Sequence, residues 1–412
     1  MTRRRVAITG LGVASPHGCD VAAMFDALLR GESAVRRISL QSAVGSYDTI
    51  GAQVPGEPWE GLPRGLRVTS DRLSLYALVA ASAAIRDSGI DLAAEDRRRV
   101  GVAIGTSLGG TISQEAAYAE IFCNGARKLS PFTLVKVMYN GPTAQVGLAH
   151  ALDGPSLTYT TTCSSSAVSI GEAMRHIRHG YADVMVAGGA EALFAYVSIK
   201  AWQALQVLAP ERAENPSATC RPFSKDRNGT VLGDGAAIVV LEEYGRAVAR
   251  GARIYGVLAG YGVSNDSSHM TQPSISGQSH AMRLAIADAE LSTDGIDYVN
   301  AHGTGTPLND VAETQAIKEV FGRRAGEIPV SSTKSMHGHL VGAAGALELV
   351  ISTLAVHRQS VPPTAHLDEP DPRCDLDYVA HKGRSARVRA AMSNSFAVGG
   401  TAGVLVVSEP GA

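Results

Sequence analysis

Residues 159–168 read YTTTCSSSAV and set one cysteine, Cys163, among small hydroxyl side chains. Ahead of it, GPSLTYTTT (154–162) is rich in β-branched and aromatic residues and predicts a strand. Behind it, SAVSIGEAMRHIRHG (166–180) has apolar residues at helical spacing and ends on Gly180, which predicts a helix. Cys163 is therefore expected at a strand-to-helix junction. A helix N-terminus carries free N–H groups and partial positive charge, which favour thiolate over thiol and offer donors to an oxyanion. Small neighbours leave room for a carbonyl to approach. A free cysteine also packs well as a small hydrophobe, so partners elsewhere in the chain must decide its role.

Working outward, strand-like and helix-like segments alternate. RVAITGLGV (5–13) reads as a strand, DVAAMFDALLRG (20–31) as a helix capped by Asp20, and SDRLSLYALVAASAAIRDSG (70–89) as a longer helix from Ser70 to Gly89. RVGVAIGTSLGG (99–110), ADVMVAGGAEA (182–192) and GAAIVVLEEY (235–244) read as buried strands. Such alternation predicts an α/β fold with largely parallel central sheets. The order then recurs. RIYGVLAGYGVSND (253–266) echoes the opening strand, SGQSHAMRLAIADAEL (276–291) the Ser70 helix, and DYVNAHGTGTPLND (297–310) the 99–110 segment. AAGALELVISTLAVHRQ (343–359) echoes the helix after Cys163, and TAGVLVVSEP (401–410) echoes 235–244. An internal duplication is expected, with halves 1–250 and 251–412 each supplying one layer of a shared site. Residues 107–150 have few echoes and read as an inserted cap or interface segment.

The 412 residues exceed one ordinary core, and 45% apolar content supports a large interior. A net charge of −2 argues against nucleic acid as a partner. The five cysteines, at 19, 123, 163, 220 and 374, form no C-x-x-C pair and no metal spacing, so no metal and a reducing cytoplasm are expected. The basic N-terminal trio leads straight into a strand rather than a signal peptide, and no apolar run is read as approaching 18 residues, so no membrane span is expected. GLGVAS (10–15) lacks the third glycine of a dinucleotide loop.

Two further turns carry chemistry. VNAHGTGTPLND (299–310) puts His302 after an apolar strand, and SSTKSMHGHLVGAAG (331–345) puts Lys334, His337 and His339 before a glycine-rich helix. NSFAVGGTAG (394–403) is a glycine turn between strands. With the Cys163 turn, ADVMVAGGAEA and RPFSKDRNGTVLGDGA (221–236), these motifs resemble, over nearly the full length, a β-ketoacyl-acyl carrier protein synthase close to synthase II and the type II polyketide ketosynthases.

The resemblance implies a thiolase-like duplicated αβαβα fold, usually dimeric, and decarboxylative Claisen condensation on a Cys-His-His site. It implies Cys163 as acyl-accepting nucleophile, His302 and His339 as the two catalytic histidines, Lys334 as the site lysine and Glu313 as its buried acidic partner. His337 is expected to be a neighbour only. Thr304, Thr306 and Thr271 are expected along the phosphopantetheine arm, and Leu108 as an apolar bound of the pocket. The amides of Cys163 and Val398 are expected to form an oxyanion hole. No cofactor is expected beyond the phosphopantetheine of acyl carrier protein. That carrier is the expected partner, steered by Arg127, Lys128 and Arg67, with a second subunit making a homodimer or a heterodimer with a chain-length-factor-like protein. The gate departs from the family's G-F-G-G. It reads Ala397-Val398-Gly399-Gly400, with a stiff β-branched residue where the aromatic lid belongs and an alanine where glycine permits positive φ. A specialised polyketide or polyene pathway is expected from it; the alternative is housekeeping fatty-acid elongation. A thiolase would need a second cysteine in the 394–403 turn, and a non-catalytic subunit would not keep Cys163, His302 and His339.

Overall fold

The computed structural model describes residues 3–42 and 45–411. Ten strands form one array: β1 (Val6–Ala14), β2 (Val100–Gly105), β3 (Ser156–Tyr159), β4 (Val184–Glu191), β5 (Gly235–Glu243), β6 (Gly256–Asn265), β7 (Tyr298–Asn300), β8 (Val330–Ser331), β9 (Ala390–Phe396) and β10 (Thr401–Ser408). Their order is β8-β7-β9-β10-β6-β1-β5-β4-β2-β3. Every strand of the first half thus occupies the place of the strand five later in the second. Among the described residues the strands of the two halves pair only through Ala7–Val257 and Ile8–Gly256, so the array is two five-stranded sheets joined by a short contact. Within each sheet the pairings are mixed: β4 runs parallel to β2 but antiparallel to β5, and β9 runs parallel to β7 but antiparallel to β10.

Helices complete five layers. The helix Arg72–Ser88 packs on β1 and β5, and Ile275–Asp288 on β6 and β10. The helices Ser165–Arg178 and Ala344–Arg358 pack on each other and on strands of both sheets. Three apolar cores fill the layers, one central and one under each outer helix. The duplication reaches single residues. A Cβ on Gly10 or Gly12 would meet Ala84 O or Ala80 O at 2.2 or 2.1 Å, and one on Gly260 or Gly262 would meet Ala285 O or Ala281 O at the same distances. The GLG of the first strand therefore serves close helix packing, as it does in the second half.

Three expectations are corrected here. The central sheets are not largely parallel: parallel and antiparallel pairings are equal in each. The Ser70 helix begins at Arg72, because the Asp71 carboxylate caps Leu73 N, while Gly89 closes it at φ 63°. An 18-residue apolar stretch does exist, Val341–Arg358 with mean hydropathy 1.2, but 89% of it is buried. It is the central helix between the sheets, apolar all round because both faces are covered. Residues 107–150 form three helices, Thr111–Phe122, Thr133–Val137 and Gly141–His150, between β2 and β3. They leave Tyr118, Phe122, Leu134 and Leu148 exposed.

Candidate active site

The central helices start at equivalent points of the two halves, and each start is strained. A single 3₁₀ turn, Thr162–Ser164 or Val341–Ala343, precedes each helix. Thr162 and Val341, both β-branched, hold φ 48° and 45°, a region where such residues are rare and which costs about 1–3 kcal/mol. Thr162 is held there in part by its hydroxyl, which donates to Val398 O on the 397–400 turn. This turn presents Cys163, itself buried, to a cavity of about 420 Å³ that His302, His339, Thr304, Phe396 and Val398 also line.

His339 Nε2 lies 3.2 Å from Cys163 Sγ. The Val341 amide donates to Nδ1 of the same ring at 3.3 Å, which puts the ring proton on Nε2, facing the sulfur. The His302 ring stands 5.4 Å from it at 83°. Lys334 Nζ is 3.5 Å from His302 Nδ1, so the ammonium donates there and Nε2 again carries the proton. Burial, reinforced by the Lys334 cation, holds both imidazoles well below their ordinary values. The site thus holds two neutral rings, each with its donor nitrogen fixed by a partner at the other.

Burial also pushes the Cys163 thiol up to about 11, against the opposing pull of the Val398 amide, the Lys334 charge and the cysteine's own amide. Burial thus opposes the thiolate that the helix start favours. The helix start supplies donors near the sulfur, but loss of solvent outweighs them, and the group rests as a thiol. The donor atoms of Cys163, His302 and His339 lie within 4.8 Å of one another. A thiol and two neutral imidazoles also suit a soft divalent ion, although the ammonium of Lys334 opposes any cation there.

Lys334 does not pair with Glu313. Its ammonium bonds Glu348 from the central helix, both side chains fully buried. Glu313 instead accepts the amides of His302 and Gly303, each at 2.8 Å, and Asn394 Nδ2 at 3.1 Å. It shapes the His302 turn without any cation. His337 bonds Gly338 O at 2.7 Å and Thr333 Oγ1 at 2.9 Å and lies outside the cavity lining.

Thr304, Thr306 and Thr271 all line the cavity, as do Ala397, Val398 and Gly400, whereas Gly399 does not. Gly399 and Gly400 carry the turn's positive φ values, 96° and 85°, and Ala397 stays outside that region. Three hydrogen bonds tie the turn down: Ala397 N to Thr401 O, Gly399 N to Met270 O and Asp266 N to Gly400 O, at 2.8–2.9 Å. Leu108 packs near Cys163 but lines a second cavity, and Trp202, Phe396 and Met270 bound the first. Arg67, Arg127 and Lys128 are exposed and away from the lining.

Family comparison agrees with this geometry. The models described as "Beta-ketoacyl synthase, N-terminal domain" and "Beta-ketoacyl synthase, C-terminal domain" match residues 3–247 and 255–368. The chain belongs to the β-ketoacyl synthase family. Nodulation protein E of Rhizobium sp. (strain N33) is 42% identical over 406 residues, covering 98% of this chain and 99% of that protein. The 3-oxoacyl-[acyl-carrier-protein] synthase 2 of Coxiella burnetii (strain RSA 493 / Nine Mile phase I) is 42% identical over 413 residues, covering 99% of each. A solved type II PKS ketosynthase, bound to the hexaketide and in complex with its acyl-carrier protein, superposes with TM-score 0.90 at 33% identity, covering 99% of this chain and 100% of that one. The synthase is accordingly an acyl-transferring condensing enzyme of the thiolase-like fold. Sequence reasoning missed Thr162, Val341, Glu348, Trp202 and Phe396. Only Glu348 left a signal, as the one acidic residue in an otherwise apolar helical stretch.

Proposed function

We propose that this synthase condenses malonyl-acyl carrier protein with a Cys163-bound acyl chain, in a specialised type II polyketide or polyene pathway. The reading rests on one constellation: the 3.2 Å contact of Cys163 Sγ with His339 Nε2, with His302 beside it in the same cavity. The acyl chain passes from the carrier's pantetheine thiol to Cys163, releasing that thiol. Malonyl carrier then enters and its carboxyl group leaves as CO₂. The electron pair of the broken bond passes into the thioester as an enolate, whose oxygen takes hydrogen bonds from Nε2 of His302 and His339. The enolate carbon attacks the Cys163 thioester, the amides of Cys163 and Val398 hold the second oxyanion, and the sulfur leaves as a thiolate that takes a proton from water to return to the resting thiol. Lys334, neutralised by Glu348, keeps His302 in its tautomer and takes no proton.

Thr304, Thr306 and Thr271 would flank the pantetheine arm, the only carrier group this chemistry asks for. Arg67, Arg127 and Lys128 would steer an acidic carrier protein. A second subunit of the same fold, identical or chain-length-factor-like, fits the exposed apolar side chains of 118–148 beside the edge strand β3. These halves, 1–250 and 251–412, would act together in the cytoplasm.

The specialised pathway is favoured over housekeeping elongation by Val398, which has no ring to swing over Cys163. Intact mass after incubation with matched polyene and saturated acyl-carrier thioesters tests it. Polyene chains should load at least as well as saturated ones, and Val398→Phe should shift preference toward saturated chains. Loading by saturated chains alone, unmoved by Val398→Phe, returns the enzyme to fatty-acid elongation.

A further inference from the structure

The two central helices start on equivalent strained turns, but only one of these turns anchors itself through its own side chain. Thr162 donates its hydroxyl to Val398 O. Val341, its counterpart at φ 45°, is fully buried and has no polar atom in its side chain. Its amide must nevertheless stay in place, because it donates to His339 Nδ1 at 3.3 Å. The hold on this turn comes from the other half of the chain. Glu191 ends β4 and is fully buried. Its Oε2 accepts the amides of Gly342 at 3.1 Å and Ser107 at 2.6 Å, and its Oε1 accepts the Leu108 amide at 3.2 Å and the Thr106 hydroxyl at 3.1 Å. A Cβ on Gly342 would meet Oε2 at 2.3 Å and Ser107 N at 2.5 Å, so the approach requires glycine there.

We infer that Glu191 is a positioning residue for the condensation: it clamps the Val341–Ala343 turn and so holds the amide that fixes the His339 tautomer. The inference rests on the proposed donor role of His339. The Gly342 N–H belongs to the peptide that follows Val341, so a hydrogen bond to it restrains the backbone of Val341 in its positive-φ conformation. A carboxylate is a stronger acceptor than a carbonyl, strong enough to offset the strain of that conformation at a β-branched residue. Each oxygen already accepts two donors, and all four donors are neutral. The negative charge is therefore held by oriented N–H and O–H groups, three of them on the turn after β2 and one on the turn that aims at His339. A single side chain of the first half thus sets the protonation geometry of a ring in the second.

The test is run above the value of about 7 to which burial pushes the Glu191 carboxyl, so that it is ionised. Nitrogen NMR of enzyme carrying isotope-labelled histidine, assigned against His339→Ala, reads the ring tautomer. Release of CO₂ from malonyl carrier reads the donor, and intact mass reads acyl loading of Cys163. Wild type should show His339 protonated on Nε2 alone. Glu191→Gln should show a mixture of tautomers and lose CO₂ release by about fivefold, the worth of one neutral hydrogen bond, with a smaller loss in acyl loading. Adding Val341→Gly should restore both the tautomer and CO₂ release, because glycine enters positive φ without strain, even as the lost side chain lowers the melting temperature further. Gly342→Ala breaks the same contact with the charge in place and should give the same mixture, which keeps the test open where Glu191→Gln does not fold. A folded Glu191→Gln enzyme with the wild-type tautomer overturns the clamp and leaves the donor role of His339 intact. A mixed tautomer with CO₂ released at the wild-type rate overturns that donor role, and the positioning role of Glu191 with it.

Discussion

Replacing Glu348 with Gln should destabilise the synthase severely while leaving every cavity-lining side chain in place. Lys334 and Glu348 are both fully buried, and the ammonium's other contact is a neutral imidazole nitrogen. Breaking a buried ion pair from one side leaves an uncompensated charge and costs about 3–5 kcal/mol, a large fraction of an ordinary folding free energy of about 5–15 kcal/mol. Glu313→Gln, the change that the sequence alone would have chosen, leaves no cation unpaired and should cost less. The double variant Lys334→Met/Glu348→Leu removes both charges and should return to within about 1 kcal/mol of wild type. It also removes the donor to His302 Nδ1. A hydrogen bond from a charged group is worth about 1.5–3 kcal/mol, which converts to about a 10- to 150-fold loss in the step that needs His302 correctly protonated. Denaturant melts give the stability arm. Release of CO₂ from malonyl carrier protein gives the second, with acyl loading of Cys163 by intact mass as the internal control. A Glu348→Gln enzyme that melts with wild type, or a double variant that decarboxylates at the wild-type rate, refutes the positioning role assigned to this pair.

Cys163→Ala should fold normally and take no acyl group, whereas Cys163→Gln, which imitates an acylated sulfur, should still release CO₂ from malonyl carrier; an acyl adduct at the active site of the Ala variant removes Cys163 as nucleophile. His339→Ala should reduce decarboxylation more than acyl loading, because its Nε2 proton is the donor aimed into the cavity. His337→Ala should show its cost in melting temperature rather than turnover, since both ring nitrogens bond outside the cavity; equal kinetic loss in the two variants would mean that His337 shares the chemistry. Arg127→Glu with Lys128→Glu should raise the KM for carrier protein at low ionic strength, an effect that shrinks as salt screens it, and unchanged kinetics there exclude this patch from docking.

The order of elements was legible because each half repeats the same alternation of period-2 and helical patterns, and the sheet order places β1 to β5 against β6 to β10 one for one. The Cys163, His302 and His339 turns were legible as small-residue breaks after apolar strands. What was not legible depends on direction and depth. Glu313 and Glu348 each follow a histidine turn on a helix, and spacing does not say which carboxylate faces Lys334. The thiol's protonation turns on how much water the fold removes, which the residues around Cys163 do not spell out. Thr162 and Val341 break a local rule, because β-branched residues read as extended and here adopt positive φ; a rule read forward cannot locate its own exception. Glu348 also interrupts the one apolar stretch of 18 residues among the described residues and hid its length.

A charge inventory of the site explains why these exceptions sit where they do. Both histidines are neutral, Cys163 rests as a thiol, and Lys334 is matched by Glu348. Around Cys163 the cavity therefore offers a reacting thioester oriented N–H donors from two uncharged rings. On the proposed assignment, negative charge appears on oxygen twice, first in the enolate and then in the tetrahedral adduct of Cys163. Donors fixed beforehand stabilise it without reorganising. A free cation at Lys334 would instead favour the malonyl carboxylate, the group that must leave, and would bind the ground state more tightly than the transition state. Glu348 weakens that attraction while leaving the ammonium close enough to set the His302 tautomer. Glu313, free of any cation, spends its two oxygens on the turn that carries the same ring. The two carboxylates thus divide the work around His302, one fixing the backbone of its turn and the other pairing the lysine that sets its tautomer.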